Sequence, residues 1–358
     1  MKTKLFIVYG GKSVEHEVSI KTAYTVIQSI DESKFDISPI YITRDGIWCV
    51  QDNFSREGLD ITDLSLQAQS QTAAESMGQV LTNQLSIPGK KVVLPLLHGS
   101  NGEDGTVQGL LELLNVPYVG NGVLSSAVTL DKAISKQLAA QAGINQTDYL
   151  ACRVAEWQDN RLAVLDAVAK NIGYPCYVKP ASLGSSIGIS RCIDKQQLID
   201  GIIEAFNYDS KLVIEREIIG REIQVAVMGN GKPLASLPGE FVHNHIFFDF
   251  ESKYMDKQLT MSIPALLPEE ITIRIRQLAV QVFEAHDCSG LARIDFFYTS
   301  DGQLYLNEIN ALPGFTNYSM YPVMWERTNG TAYPELVEKL IDYAFTRHAE
   351  KQLLHYTR

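Results

Sequence analysis

The segment SGLARIDFFYTSDGQLYLNEIN (289–310) carries the densest chemistry in the 358-residue chain. Two β-rich runs flank Asp301-Gly302, a dipeptide suited to a two-residue type I′ hairpin turn. With that loop, Asp295 falls opposite Glu308 and Arg293 opposite Asn310, all on one face. Ile294 with Ile309 and Ala292 with Ala311 then form the core-facing side. Carboxylates directly across a ladder lie roughly 5 Å apart at Cβ and repel, so something positive must compensate. Magnesium prefers oxygen ligands and is held by one or two carboxylates plus phosphate oxygens, which makes Asp295, Glu308 and Asn310 a candidate metal edge. Arg293 alone could also neutralise the pair within a surface network, and a three-residue loop would break the register.

A second constellation precedes it. Lys179 ends an apolar run at VKP, immediately before the loop Ser182-Leu183-Gly184-Ser185-Ser186-Ile187-Gly188. A small-residue loop exposes backbone N–H groups that cradle phosphate oxygens, and a lysine at the strand end adds a point charge. A Gly/Ser turn beside a solvated lysine would show the same letters. Lys132, at the start of an alanine-rich helix, reads by itself as a surface residue.

Other phosphate and catalytic motifs fail. Gly11-Lys12-Ser13 has the ending of a Walker A loop, but Phe6 stands where its first glycine is required. No G-x-G-x-x-G follows the first strand, so a dinucleotide fingerprint is absent. His16-Glu17 lacks a second histidine at position 20. The run 184–188 matches G-x-S-x-G, which would make Ser186 a serine-hydrolase nucleophile. That elbow needs a strand–turn–helix, whereas this loop runs into the β-like ISRCI. A noncatalytic nucleotide-binding module is the third class, separable because it would bind ATP without turnover.

These residues need a scaffold. LFIVY running into Gly10-Gly11 and then an amphipathic stretch, with further strands at FDISPIYIT (35–43) and KVVLPLLHG (91–99), predicts a parallel α/β domain over roughly 1–120. Residues 51–86, polar and weakly patterned, read as an insertion or a mobile excursion. Helices are expected over 130–142, 161–171, 268–286 and 333–347, with strands at PCYVKP, ISRCI, KLVIERE and EIQVAVMG. The loop 182–188 then joins two strands as a hairpin. Residues 239–258 mix aromatic and charged groups without a period, the composition of an ordered functional loop.

Composition narrows the function further. A net charge of −11 and a pI near 5.2 argue against a nucleic-acid partner, which requires a basic surface. Local lysines can still hold a nucleotide. Five cysteines without a C-x-x-C spacing, mostly within apolar runs, read as buried reduced thiols. The start lacks a signal-peptide cleavage site and no run reaches the ~18 apolar residues of a membrane helix, so a soluble cytoplasmic protein is expected.

Taken in order, YGGKSVEHEVS (9–19), LHGSNGEDGTVQG (97–109), LDK (130–132), VKPASLGSSIG (178–188), ESKY (251–254), GLARID (290–295) and NEINALPGFTNYSMYP (307–322) resemble the D-alanine:D-alanine ligase family of the ATP-grasp superfamily across nearly the whole chain. The resemblance implies an N-terminal α/β (preATP-grasp) domain, then a two-part α+β ATP-grasp domain with subdomains at 121–214 and 215–358. The second would contain a mobile loop at 239–258 and the metal hairpin at 289–311. It implies ATP-dependent ligation of two D-alanines through an acyl phosphate, for peptidoglycan precursors. D-lactate or D-serine as the second substrate is the alternative within the family.

By the same resemblance, Lys132 and Lys179 would contact phosphates, and Ser186 with loop amides would cover them. Glu215 and Ile218 would frame the adenine, Glu222 would hold the ribose, and Lys253 would close on the γ-phosphate. Glu15 would meet the ammonium of the first D-alanine and His98 its carboxylate. Gly314 and Ser319 would hold the second carboxylate. Arg293 would stabilise developing charge, and Ser185 with Tyr254 would link to Glu15. Asp295, Glu308 and Asn310 carry over as ligands of magnesium or manganese, two ions being usual, and a homodimer is implied. The sequence departs from the common pattern at FFDFESKY, where tyrosines and AKY are usual, and at Arg216, where lysine is frequent.

Overall fold

The computed structural model describes residues 2–51, 54–68, 71–242 and 260–355. Residues 5–9 are buried on both faces, the signature of a parallel strand covered by helices on each side. That strand, β1 (Thr3–Gly10), lies between β2 (Phe35–Ile42) and β4 (Lys91–Pro95), both parallel to it, while β3 (Trp48–Val50) joins β2 antiparallel at the edge. The helix His16–Ser29 lays Ile20, Ala23 and Ile27 on one face of the sheet. The helix Thr106–Leu113 packs Val107 and Leu111 against Phe6 and Val8 on the other. β1 ends at Gly10 with φ +90°, where a Cβ would stand 2.2 Å from the Ile42 carbonyl, so only glycine fits.

The middle of the chain forms an antiparallel sheet from β5 (Tyr149–Arg153), β6 (Cys176–Pro180), β7 (Ser190–Cys192) and β8 (Lys211–Arg216), in the order β5-β8-β6-β7. Helices Arg161–Asn171 and Lys195–Ala205 cover it, burying Leu165, Val168, Leu198 and Ile202 with Val178 and Ile214. β6 and β7 pair as the expected hairpin around the glycine loop.

The last third builds a second antiparallel sheet. β9 (Gly220–Gly229) is flanked by the short β10 (Leu234–Ala235); β11 (Glu240–Val242) and β12 (Thr260–Ser262) form a separate ladder; β13 (Gly290–Thr299) pairs with β9 and β14 (Leu304–Asn310). The helix Glu269–Ala285 covers one face with Ile275, Ala279, Val282 and Phe283. Helices Met320–Asn329 and Tyr333–Gln352 place Tyr321, Trp325, Leu336 and Leu340 in the same core as Leu5 and Ile27 of the first sheet. This shared core joins the first and last sheets. All five cysteines are free thiols, four buried and Cys49 half-buried.

Three expectations change. Within 51–86 the described residues are docked, not an excursion: Leu64, Val80 and Leu85 are buried, and the Tyr9 hydroxyl donates to the Leu64 carbonyl at 2.9 Å. Capping boxes at Asp60/Asp63 and Thr72/Glu75 fix two short helical pieces there, too short to show a period. The hairpin turn is not a two-residue type I′. Thr299 N–H donates to the Gln303 carbonyl at 3.0 Å, leaving a three-residue loop that ends on Gly302 at φ +81°. The helix Met320–Asn329, whose first turn lies in the NYSMYP motif, is a further element beyond those expected. Pro322 is accommodated in its first turn, where backbone N–H groups have no helical partner.

Candidate active site

The hairpin places its polar residues on one face despite the altered turn. Asp295 pairs with Glu308 and Arg293 with Asn310, while beyond a bulge the ladder runs Phe296 with Leu306. Asn307 is the extra residue on β14. The bulge and the three-residue loop offset one another, so the register expected from the sequence is recovered at the carboxylates. Asp295 is fully buried; Arg293 donates to it twice, at 2.8 and 2.7 Å, and Asn310 Nδ2 donates at 3.1 Å. Burial disfavours the Arg293 charge, but Asp295, then Glu308 and Glu222, more than compensate and hold its pKa above the usual arginine value. The arginine therefore pairs with Asp295 in a buried setting, not with both carboxylates as a surface network.

Beside this hairpin lies a cleft of about 760 Å³ lined by Lys132, Lys179, Ser185, Ser186, Glu215, Ile218, Glu222 and Glu308, so eight of the sequence candidates meet there. Ile219 and Leu266 add apolar surface and Gln224 a polar one. Lys179 Nζ donates to Glu215 Oε2 at 2.8 Å. Glu215 is 3% exposed; burial pushes its carboxyl up, but Lys136 and Lys179 outweigh that and bring it down to about 2. Lys179 shows the converse: burial lowers it, Glu215 raises it more, and its pKa ends above the usual lysine value. Lys132 begins the helix Lys132–Gln141, capped by Asp131, and its ammonium reaches the Leu183 carbonyl of the glycine loop at 2.7 Å.

The loop itself is strained in a specific place. Ser185 and Ser186 both have positive φ, +55° and +58°, a region non-glycine residues seldom occupy and which clusters at functional sites. β6–loop–β7 is strand–turn–strand, so the nucleophile-elbow reading of Ser186 lacks its helix. Ser185 Oγ donates to Glu15 Oε1, linking residues far apart in sequence. Glu15 stands at the N-cap of its helix without capping it through its side chain. A Cβ on Gly99 would come within 2.9 Å of Glu15 Oε2, so the glycine keeps space open at this carboxylate.

His98 is 3% exposed, with Nε2 3.3 Å from Thr22 Oγ1 and Nδ1 3.7 Å from Glu103 Oε1. Burial lowers its pKa, yet Glu103 and then Glu15 raise it more, and the imidazole holds its proton above the usual histidine range. Ser319, at the N-cap of Met320–Asn329, accepts from Thr316 N–H at 3.0 Å, and a Cβ on Gly314 would sit 3.4 Å from its Oγ. Glu15, His98, Gly314 and Ser319 are not among the residues lining the large cleft. Lys253 and Tyr254 lie outside the described residues.

The donor set at the hairpin, two carboxylates and an amide oxygen, suits a hard cation that completes its shell with phosphate oxygens. Among the described residues no group of three or more His, Cys, Asp or Glu is arranged as a self-sufficient metal cluster. Sequence reasoning missed Lys136 and Gln224, whose letters carry no motif, and gave no role to Glu103 within LHGSNGEDGTVQG; the meaning of each depends on which element faces it.

Two antiparallel sheets around a lysine-lined cleft, preceded by a parallel α/β unit, match the organisation of carboxylate–amine ligases of the ATP-grasp type. Residues 4–121 match the family model for the D-ala D-ala ligase N-terminus and residues 138–342 that for its C-terminus. The D-alanine–D-alanine ligase of Geobacillus kaustophilus is 48% identical over 362 residues, covering 100% of this chain and 98% of the relative. The structure of the D-alanine–D-alanine ligase from Coxiella burnetii superposes with a TM-score of 0.81 at 34% identity, covering 98% of this chain and 96% of that one. That of Bacillus anthracis, complexed with ATP, gives 0.74 at 30% identity, covering 98% and 99%. The chain belongs to the D-alanine–D-alanine ligase family.

Proposed function

We propose that this protein joins two D-alanines to D-alanyl-D-alanine with release of ADP and phosphate, acting in the cytoplasm as a homodimer. The observation that carries the reading is one cleft that gathers Lys132, Lys179 and the Ser185-Ser186 loop beside Glu215, Glu222 and Glu308, while Ser185 reaches back to Glu15. ATP lies in this cleft, its adenine framed by Glu215 and Ile218, its ribose held by Glu222, and its phosphates met by Lys132, Lys179 and Ser186, with Lys253 as a further phosphate ligand by family resemblance.

The chemistry follows from the weakness of a carboxylate as an electrophile. An oxygen of the first D-alanine attacks the γ-phosphorus of ATP, ADP leaves, and an acyl phosphate forms. Glu15 binds the ammonium of that D-alanine and His98, carrying its proton, faces the carboxylate. The second D-alanine, its carboxylate on Ser319 and the Gly314 backbone, attacks the acyl carbon as a free amine. Phosphate departs with the oxygen it acquired. Arg293, a fixed planar cation, stabilises charge that develops in both transfers. By family resemblance Tyr254 would join Ser185 and Glu15 in excluding water from an intermediate that water would destroy. Asp295, Glu308 and Asn310 would hold magnesium or manganese, which supplies neutralisation of phosphate charge when bound.

The atom balance gives the test. D-Alanine labelled with ¹⁸O in its carboxylate transfers one label into the released phosphate. Phosphate without label would overturn the acyl-phosphate route, and absence of phosphate release would leave a nucleotide-binding module.

A further inference from the structure

Lys136 has no place in the scheme above, yet it is one of the most deeply buried charged groups. It lies one helical turn after Lys132 on the same helix face, with its side chain 4% exposed. Its ammonium is 3.3 Å from Glu215 Oε1, an ion pair without hydrogen-bond alignment, and sits 5.4 Å from the centre of the Tyr149 ring. Tyr149 is the ladder partner of Glu215, so the ring and the carboxylate approach the lysine from adjacent strands. Glu215 is thus shared: Lys179 holds Oε2 at 2.8 Å from the large cleft, and Lys136, which lines the smaller neighbouring cavity with Lys132 and Glu308, pairs with Oε1 at 3.3 Å.

The charge count makes the second lysine informative. Glu215 holds two ammonium groups at once, while Lys179 also feels Glu308 and Glu222 from the cleft, so one lysine is in excess of what Glu215 itself needs. Were Lys136 absent, Lys179 and Glu215 would form a closed neutral pair. Turning Lys179 toward a phosphate would then strand a buried carboxylate. With Lys136 present, Lys179 can leave and Glu215 stays paired.

We propose that Lys136 is a positioning residue for nucleotide binding, taking over neutralisation of Glu215 so that Lys179 is released to the phosphates. This rests on the assignment of Lys179 to phosphate made above. The direction of the titration agrees: burial lowers the Lys136 pKa, Glu215 raises it, and nearby Lys179 lowers it again, so departure of Lys179 strengthens the hold of Lys136 on its proton.

The readout is the ratio of ATP to adenosine affinity, measured by calorimetry on the full-length protein. Adenosine leaves Lys179 on Glu215, so a purely structural role for Lys136 would change both affinities together. Lys136→Met is expected to lower the ratio by ~10-fold or more, because a buried charge left unpaired is strongly unfavourable. Lys136→Met/Glu215→Gln, which removes the carboxylate that detains Lys179, is expected to restore the ratio. Should Lys136→Met fail to fold, Lys136→Gln keeps a polar group at Glu215 without the charge and must lower the ratio likewise. An unchanged ratio in these single variants, or no recovery in the double variant, overturns the proposal. Lys179→Met is measured in parallel: a lowered ratio there with an unchanged ratio in the Lys136 variants refutes Lys136 alone. An unchanged ratio in Lys179→Met refutes the phosphate assignment and this proposal with it.

Discussion

Glu308 lies directly across the β13–β14 ladder from Asp295: Arg293 and Asn310 both donate to Asp295, which is fully buried, and Glu308 lines the 760 Å³ cleft. Its place in the cleft puts Glu308 where the proposed cation would meet phosphate oxygens. Glu308→Gln is expected to cut turnover about 10²- to 10³-fold, the scale of one lost electrostatic partner in a preorganised site, with unfolding temperature little changed. Turnover near the unmutated value at limiting magnesium would remove Glu308 from the metal edge.

The link between Ser185 and Glu15 joins the glycine loop to the first helix, and Ser185 holds it with φ at +55°. Two variants separate hydroxyl from backbone. Ser185→Gly keeps the left-handed conformation without strain, while Ser185→Ala keeps the strain; both lose the hydrogen bond. Equal rises in KM for D-alanine, about 10-fold or more for a hydrogen bond to a charged group, assign the effect to the hydroxyl. Normal kinetics in Ser185→Gly would assign it to loop conformation instead.

His98 supplies a pH dependence. Its pKa is raised from the ordinary 6.5, chiefly by Glu103 against the effect of burial, so the protonated form that pairs with a carboxylate is lost only as pH rises through the elevated value. KM for D-alanine is therefore expected to stay flat at and below pH 6.5 and to climb at higher pH. Glu103→Gln removes the strongest influence that raises this pKa and should move the climb to lower pH. Coincident profiles for the two proteins would mean that His98 does not titrate in the bound complex.

Glu215 offers a check through stability. Its pKa falls from 4.5 to about 2 on folding, so its contribution is present above pH 4.5 and is lost as pH falls toward 2. Glu215→Gln should be the less stable protein at pH 6, by leaving two buried ammonium groups without their carboxylate, and the gap should narrow on acidification through that window. Urea unfolding at several pH values measures it; a constant gap would contradict an ionised Glu215.

The sequence disclosed this site wherever local spacing alone fixes geometry. The alternation of Arg293, Asp295, Glu308 and Asn310 with Ile294 and Ile309 placed four polar groups on one face, and the pairing survives because a bulge at Asn307 cancels an error in the turn. Thr299 illustrates why the turn was misjudged: its N–H and carbonyl close a three-residue loop to Gln303 and Gly302, a choice that Asp-Gly does not determine. Lys136 was illegible for a different reason. It occupies an ordinary helix position, and its role arises from Glu215, 79 residues later by number, arriving on a neighbouring strand. Likewise Leu64 looked like part of a polar excursion because the core that receives it is assembled from distant segments.

The most direct test of the central claim is the product itself. Incubated with ATP, magnesium and D-alanine, the protein is expected to form D-alanyl-D-alanine, one ADP and one phosphate per peptide bond, identified by mass and by stereochemical analysis, with no dipeptide from L-alanine. In a mixture of D-alanine with D-lactate or D-serine at neutral pH, the D-alanine dipeptide should dominate. A dominant ester or D-alanyl-D-serine product would contradict the substrate assignment, and ATP binding without any ligated product would contradict the account as a whole.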